Sequence, residues 1–198
     1  MSNNLMRLSE LRFQAVDAKQ TVSKVGVFWN SSGMLARIDW VFDDESPASV
    51  SSSTLSCISM APPAQIAELV GRIKEYFRSG KPLGSLPWEF VDQSEWTPFQ
   101  RQVYAAITRI PHGETRTYGW VAARIGNTAA TRAVGQSLKN NPLPIFIPCH
   151  RVVAADSLGG FMGASDPNDP QMLLKQKLLN LEQSYLSPTF AFASVSLG

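Results

Sequence analysis

The chain has 198 residues, of which 44% are hydrophobic, 10% aromatic and 17% charged, so it can bury a core and is neither disordered nor low-complexity. No run approaches the ~18 apolar residues of a membrane span, and the polar start, Met1 to Arg7, lacks the apolar stretch of a secretory signal. The net charge of +2 conceals an asymmetry: residues 1–90 balance nine Lys/Arg against nine Asp/Glu, whereas Trp96 to Ala155 carries seven basic residues and only Glu114 as an acid.

In chain order, Val22 to Trp29 and Met34 to Phe42 alternate as half-buried strands do, joined by the hairpin residues Asn30-Ser-Ser-Gly33. Asp43 to Ser59 reads as an irregular connection. Pro62-Pro63 opens a helix with an apolar stripe of Ile66, Leu69, Val70, Ile73 and Phe77, ended by Gly80 and Pro82. Lys81 to Asp92, with Pro82, Gly84 and Pro87, is the expected linker. The expected division is a small N-terminal α/β scaffold over 1–90, a working domain over 91–183 and a tail over 184–198.

After the linker the pattern is helical. Thr97-Pro-Phe-Gln100 carries an N-cap residue, a first-turn proline and a capping-box glutamine. The helix it opens buries Phe99, Val103, Ala106, Ile107 and Ile110. Thr117 caps a second helix (Val121, Ala122 and Ile125 inward), and Gly126-Asn127 closes it. Thr128 caps a third, with Ala130, Ala133, Val134, Ser137 and Leu138 inward and Ala129, Arg132, Gln136 and Lys139 outward. Two short helices around a glycine turn, inside a basic block, make a helix-turn-helix candidate facing a polyanion; an ordinary helix corner with a basic face is the plainer alternative. A last helix is expected over about Pro170 to Gln183.

The chemistry concentrates in Asn140-Asn-Pro-Leu-Pro-Ile-Phe-Ile-Pro-Cys-His-Arg-Val-Val153, where Cys149, His150 and Arg151 share a proline-initiated turn between apolar runs. A thiolate is the nucleophilic form of cysteine, and a neighbouring base or cation favours it. A third group commonly orients such a base, and Glu182 is the acidic candidate. The cysteines and histidines (Cys57, His112, Cys149 and His150) are badly spaced for zinc. With only two cysteines no disulfide framework exists, which implies a reducing compartment, cytoplasmic or, in a eukaryote, nuclear.

These residues give the chain a resemblance to the methylated-DNA–protein-cysteine methyltransferases (O6-alkylguanine-DNA alkyltransferases). It rests on Ile147-Pro-Cys-His-Arg-Val152 preceded by Asn141-Pro142, on Thr97-Pro-Phe-Gln100, on Ile110-Pro-His-Gly-Glu-Thr-Arg-Thr-Tyr-Gly119 and on Arg132-Ala-Val-Gly135. It runs from about Trp96 to Glu182. It implies an α+β fold, with a small RNase H-like N-terminal domain followed by a mostly helical C-terminal domain bearing a helix-turn-helix. It also implies that Cys149 accepts an alkyl group, that His150 acts as base through a water, that Glu182 orients His150, and that Asn141 hydrogen-bonds in the pocket. By the same resemblance, Tyr118 is expected to help evert the nucleotide and is the candidate proton donor to the leaving guanine, while Arg132 is expected to fill the vacated base stack. Ala129 and Ala130 permit close approach to DNA, and Gln136, Lys139, Thr117, Arg116 and Arg151 are expected to contact it. Pro144, Phe161, Met162 and Gly163 are expected to line the substrate pocket.

The implied partner is double-stranded DNA containing O6-alkylguanine, acted on by a monomer away from membranes, with no metal and no organic cofactor. One departure stands out. The family commonly has Tyr-Ser-Gly-Gly where this chain has Phe161-Met-Gly-Ala164, so Met162 replaces a serine, and about seven additional residues, Ser165 to Gln171, follow. The competing expectations are a damage sensor that binds alkylated DNA without repairing it and a hydrolase built on Cys149, His150 and Glu182.

Overall fold

The computed structural model describes residues 12–17, 24–41 and 62–187. The expected hairpin is present as β2 (Lys24–Trp29) and β3 (Leu35–Val41), and its turn is organised by the Asn30 side-chain oxygen, which accepts the N–H groups of Ser32 and Met34 at 3.0 Å each. A strand missing from the sequence reading, β1 (Arg12–Asp17), pairs antiparallel with β2 to give the order β1-β2-β3. The register sets Val25, Val27 and Trp29 opposite Trp40, Ile38 and Leu35, all buried. The Asp43–Ser59 connection and Cys57 lie outside the described residues.

Helix α1 (Ala64–Ser79) buries the whole predicted stripe together with Tyr76. Each such aliphatic side chain contributes roughly 1.5–3 kcal/mol on full burial. The helix stops at Gly80, which takes φ +72° and donates its N–H to the Tyr76 carbonyl. A Cβ at Gly80 would lie 2.5 Å from the Leu181 carbonyl oxygen of the last helix, α5 (Pro170–Leu186). Glycine is therefore required there both for backbone conformation and for helix–helix approach.

Residues 81–92 do not form a free linker. Leu83, Leu86 and Val91 are buried, Arg72 of α1 donates to the carbonyls of Leu83 and Ser85 at 2.5 Å each, and the Asp92 N–H donates to the Leu35 carbonyl at 2.8 Å. The prolines and glycines shape turns in a segment whose leucines enter the core.

Helix α2 (Pro98–Ile107) forms with both capping-box bonds, Gln100 N–H to Thr97 Oγ1 and Thr97 N–H to Gln100 Oε1. The two-residue strand β4 (Arg116–Thr117) leads into α3 (Tyr118–Arg124), where Thr117 accepts the Trp120 N–H as expected. Helix α4 (Thr131–Lys139) differs from the expectation. A 3-10 turn over Thr128–Ala130 precedes it, Ala130 occupies the cap without a side-chain bond, and Ala133 is exposed while Val134, Ser137 and Leu138 are buried. The extra turn rotates the helix phase, so Ala133 leaves the inward face. Strand β5 (Val152–Val153) pairs parallel with β4, and α5 runs to Leu186, one turn beyond the expected end.

One contiguous apolar cluster extends from Val25 to Leu178 and joins the sheet, α1 and the later helices. The edge strand β3 also holds the segment leading to the cysteine, through Ile38 N–H to the Pro142 carbonyl at 2.8 Å. The C-terminal end of α1 and this strand edge are thus the two supports of the site. We expect Gly80→Ala to lower stability by about 2 kcal/mol or more, since left-handed backbone alone costs about 1–3 kcal/mol for a residue with a Cβ. Urea unfolding measures it, and a loss below about 0.5 kcal/mol would show that α1 and α5 separate freely.

Candidate active site

The segment from Asn141 to Arg151 folds back so that its two ends meet. Ile145, a buried β-branched residue, sits at φ +74°, a strained conformation that turns the chain between Pro144 and Pro148. The Asn141 amide closes the loop: its Nδ2 donates to the Ile147 carbonyl (2.7 Å) and to Cys149 Sγ (3.1 Å), and its Oδ1 accepts the Leu143 N–H (3.0 Å). Pro148 starts a 3-10 turn over Cys149–Arg151, all three residues of which are buried.

Cys149 is only 5% exposed, yet its side chain lies on the wall of an open cleft of about 570 Å³. Tyr118, Thr131, Arg132, Gln136 and Lys139 line it together with the segment Gly160 to Ser165. Burial pushes the thiol above its ordinary value, against the opposing pull of the Asn141 hydrogen bond, the Lys175 charge and the local backbone N–H groups. Burial thus favours the thiol form, and ionisation of the sulfur calls for a base.

His150 and Arg151 turn away from the cleft toward Glu182. The Glu182 carboxylate is fully buried and accepts donors at both oxygens. Oε1 takes His150 Nε2 (2.8 Å), the Tyr76 hydroxyl (3.0 Å) and Arg151 Nη2 (2.8 Å), while Oε2 takes the Gly113 N–H (2.8 Å) and Arg151 Nε (2.9 Å). Burial opposes its ionisation, but the hydrogen bonds and charges of His150 and Arg151 outweigh that and hold the carboxyl far below the usual range. Burial lowers His150, so its imidazole is neutral. An ionised carboxylate at Nε2 fixes the proton there and leaves Nδ1 with its lone pair, and Nδ1 has no hydrogen-bond partner among the described residues.

Lys175 is a second buried charge. Its ammonium donates to the carbonyls of Val152 (2.7 Å), Leu158 (2.6 Å) and Gly160 (3.1 Å). Burial lowers it to about 8, against the opposing influence of Cys149, so it is cationic at neutral pH. The Gly160 carbonyl also accepts the Tyr118 hydroxyl at 2.9 Å, which ties the far wall of the cleft to α3 and α5.

The structure brings Cys149, Asn141, His150, Glu182 and Tyr118 into one region, with Arg132, Gln136, Lys139, Phe161, Met162 and Gly163 on the cleft. Ala129 is exposed and Ala130 half-buried in the turn before α4. Arg116 and Thr117 are partly exposed beside α3, where Arg116 pairs with Glu114 at 2.6 Å. Two expectations fail. Arg151 is not a surface DNA contact, because its guanidinium is spent on Glu182, the Ile110 carbonyl (2.9 Å) and His112 Nδ1 (3.3 Å). Pro144 is buried beneath the strained turn and does not line the cleft.

The sequence reading missed Tyr76, His112, Gly113 and Lys175. A signal existed for two of them. Tyr76 places a hydroxyl on the apolar stripe of α1, and Lys175 occupies a core position of the α5 series Met172, Lys175, Leu178 and Glu182.

Known proteins resemble this chain in sequence and in fold. The profile of the 6-O-methylguanine DNA methyltransferase, DNA binding domain, matches residues 98–184. The constitutive methylated-DNA–protein-cysteine methyltransferase of Bacillus subtilis is 42% identical over 119 residues, 60% of this chain and 66% of that protein. Its counterpart in Methanosarcina mazei is 41% identical over 120 residues, 60% of this chain and 69% of that protein. The crystal structure of Mycobacterium tuberculosis OGT in complex with DNA superposes with a TM-score of 0.62 at 25% identity, covering 88% of this chain and 94% of that one. The chain belongs to the methylated-DNA–protein-cysteine methyltransferase family. Its match spans between about half and two thirds of the length of the first curated relatives.

Because the Glu182 carboxyl is held low in the fold, its stabilisation is complete above the ordinary carboxylate range near 4.5 and fades as pH falls through the folded-state value. Glu182→Gln should cost about 3–5 kcal/mol at pH 7, as for removing one partner of a buried pair. The gap to the unaltered protein should narrow at pH 3 in urea-unfolding series. A gap independent of pH would show that the carboxylate charge is not what the network stabilises.

Proposed function

We propose that this protein repairs DNA by everting O6-alkylguanine from the duplex and moving the alkyl group onto its own Cys149. The observation that carries the reading is Cys149 Sγ on the wall of an open cleft, held by Asn141 and flanked by the His150–Glu182 pair. The family membership and the DNA-bound neighbour support it.

In the proposed reaction, Nδ1 of neutral His150 takes the thiol proton through a bridging water, and Glu182 stabilises the imidazolium that results. The sulfur attacks the alkyl carbon in line, the carbon–O6 bond breaks, and its electron pair leaves with guanine. Tyr118 donates a proton to the departing base. The product is a thioether, so each molecule acts once. Phe161 and Met162 line the same cleft as Cys149 and give it apolar surface.

We read α3, the turn after it and α4 as a helix-turn-helix whose second helix faces the minor groove; the basic, exposed face of Arg132, Gln136 and Lys139 supports this. Arg132 fills the gap in the stack, at the few kcal/mol cost of unstacking a damaged base. Ala129 and Ala130 allow close approach, and Arg116 and Thr117 sit toward the phosphates. The antiparallel β1-β2-β3 sheet with α1 supports an RNase H-like scaffold for 1–90, with DNA handling in 91–183. The 184–198 tail begins inside α5.

Incubation with duplex DNA containing O6-methylguanine should add one methyl per protein, mapped to Cys149 by peptide mass spectrometry and abolished in Cys149→Ala. Methyl on Cys57, or methyl retained on tightly bound DNA, would sink the proposal. Since burial holds the thiol above its ordinary value near 9, the transfer rate should climb through the neutral range without levelling below that value. Quenched-flow measurement from pH 6 to 9 reads this, and a flat profile would show that thiol ionisation does not limit transfer.

A further inference from the structure

The carboxylate that faces His150 is also held by a side chain from the other half of the molecule. Tyr76 belongs to α1, 106 residues before Glu182, is fully buried, and donates its hydroxyl to Glu182 Oε1 at 3.0 Å. That same oxygen accepts His150 Nε2 at 2.8 Å. We propose that Tyr76 is a positioning residue for the His150–Glu182 pair, so that the N-terminal scaffold sets how strongly the carboxylate draws on the imidazole. This deepens the alkyl-transfer reading and rests on it for its kinetic consequence.

Tyr76 is suited to that task. Its ring is fixed edge-on against Phe77 (centroids 5.4 Å) and His112 (6.3 Å), and the end of its helix is locked on α5 at Gly80. Burial, reinforced by the Glu182 charge, raises its hydroxyl well above the ordinary range, so it donates at any working pH. Oε1 shares its charge among the donors of three residues, Tyr76, His150 and Arg151. Removing one concentrates charge toward the two that remain and makes His150 the more basic.

The other ionisable groups around the pair are known from each neighbouring element. His112 lies on the loop before β4, with Nδ1 3.7 Å from Oε1, and Cys149 and Arg151 flank His150 on its own turn. Lys175 acts on His150 from α5 and opposes its protonation. Exchanging Tyr76 for phenylalanine keeps the ring and leaves Oε1 with the donors of two residues, His150 and Arg151.

The test compares the full chain with Tyr76→Phe and with Phe77→Leu, which disturbs the same packing without touching Glu182. Imidazole NMR follows the two histidines of the chain, His112 and His150, without DNA. In Tyr76→Phe the His150 Nε2–H resonance should move downfield and His150 should titrate at higher pH, by about half a unit or more. Where His150 is neutral in both proteins, the more basic imidazole should speed methyl transfer, and its own titration limb in the rate profile should move to higher pH. Phe77→Leu should lower the melting temperature and move neither signal. Unchanged His150 resonances in Tyr76→Phe, or equal shifts in both variants, would overturn the proposal. If the unaltered protein transfers no methyl, the functional reading fails and the resonance comparison still decides the role of Tyr76.

Discussion

The site depends on a single buried carboxylate. Glu182 of α5 has no contact with solvent, and an ion in that position is tolerable only because both oxygens are saturated by donors from three other parts of the chain: α1, the loop before β4 and the cysteine turn. Every one of those elements must be in place before the charge is compensated. The same bonds that make the carboxylate tolerable also define one tautomer of His150 and remove Arg151 from the surface. Structure and chemistry therefore draw on one set of contacts.

The division of labour between charges follows from this. Arg151 neutralises Glu182 behind the site, and Lys175 presents a second cation to backbone carbonyls beneath the cleft. Neither is free to grip a phosphate. The surface cations that remain at the cleft, Arg132 and Lys139, are on α4. Of the basic segment in sequence, Arg151 thus turns inward to order the site, while Arg132 and Lys139 stay at the surface.

Much of this was readable in the residues. The capping box at Thr97 and the apolar stripe of α1 are local patterns, and local patterns decide where helices begin and which side they bury. The Cys149–His150–Arg151 cluster announced chemistry through its composition alone. What the sequence does not state is direction. Arg151 carries the same side chain whether it meets DNA or a carboxylate 31 residues further on, and only the packed fold selects between them. The same holds for Tyr76, whose hydroxyl is indistinguishable in sequence from any amphipathic tip. The Lys81–Asp92 segment misled for a related reason, because proline and glycine specify turns and are silent on whether the residues between them enter a core. The strained Ile145 could not be foreseen, since a β-branched residue in that conformation contradicts local preference and persists only because its surroundings impose it.

Helix α5 comes last among the described elements and supplies Glu182, yet the bonds it completes reach back to α1. During synthesis on the ribosome, the hairpin, α1 and the short helices emerge well before it. Until α5 docks, His150 Nε2 lacks its carboxylate partner and Arg151 its counter-ion, so a partly made chain that already displays the α4 face has an unfinished interior. Long-range closure of this kind is slow relative to helix formation. The buried charge network is therefore completed in one late step of folding.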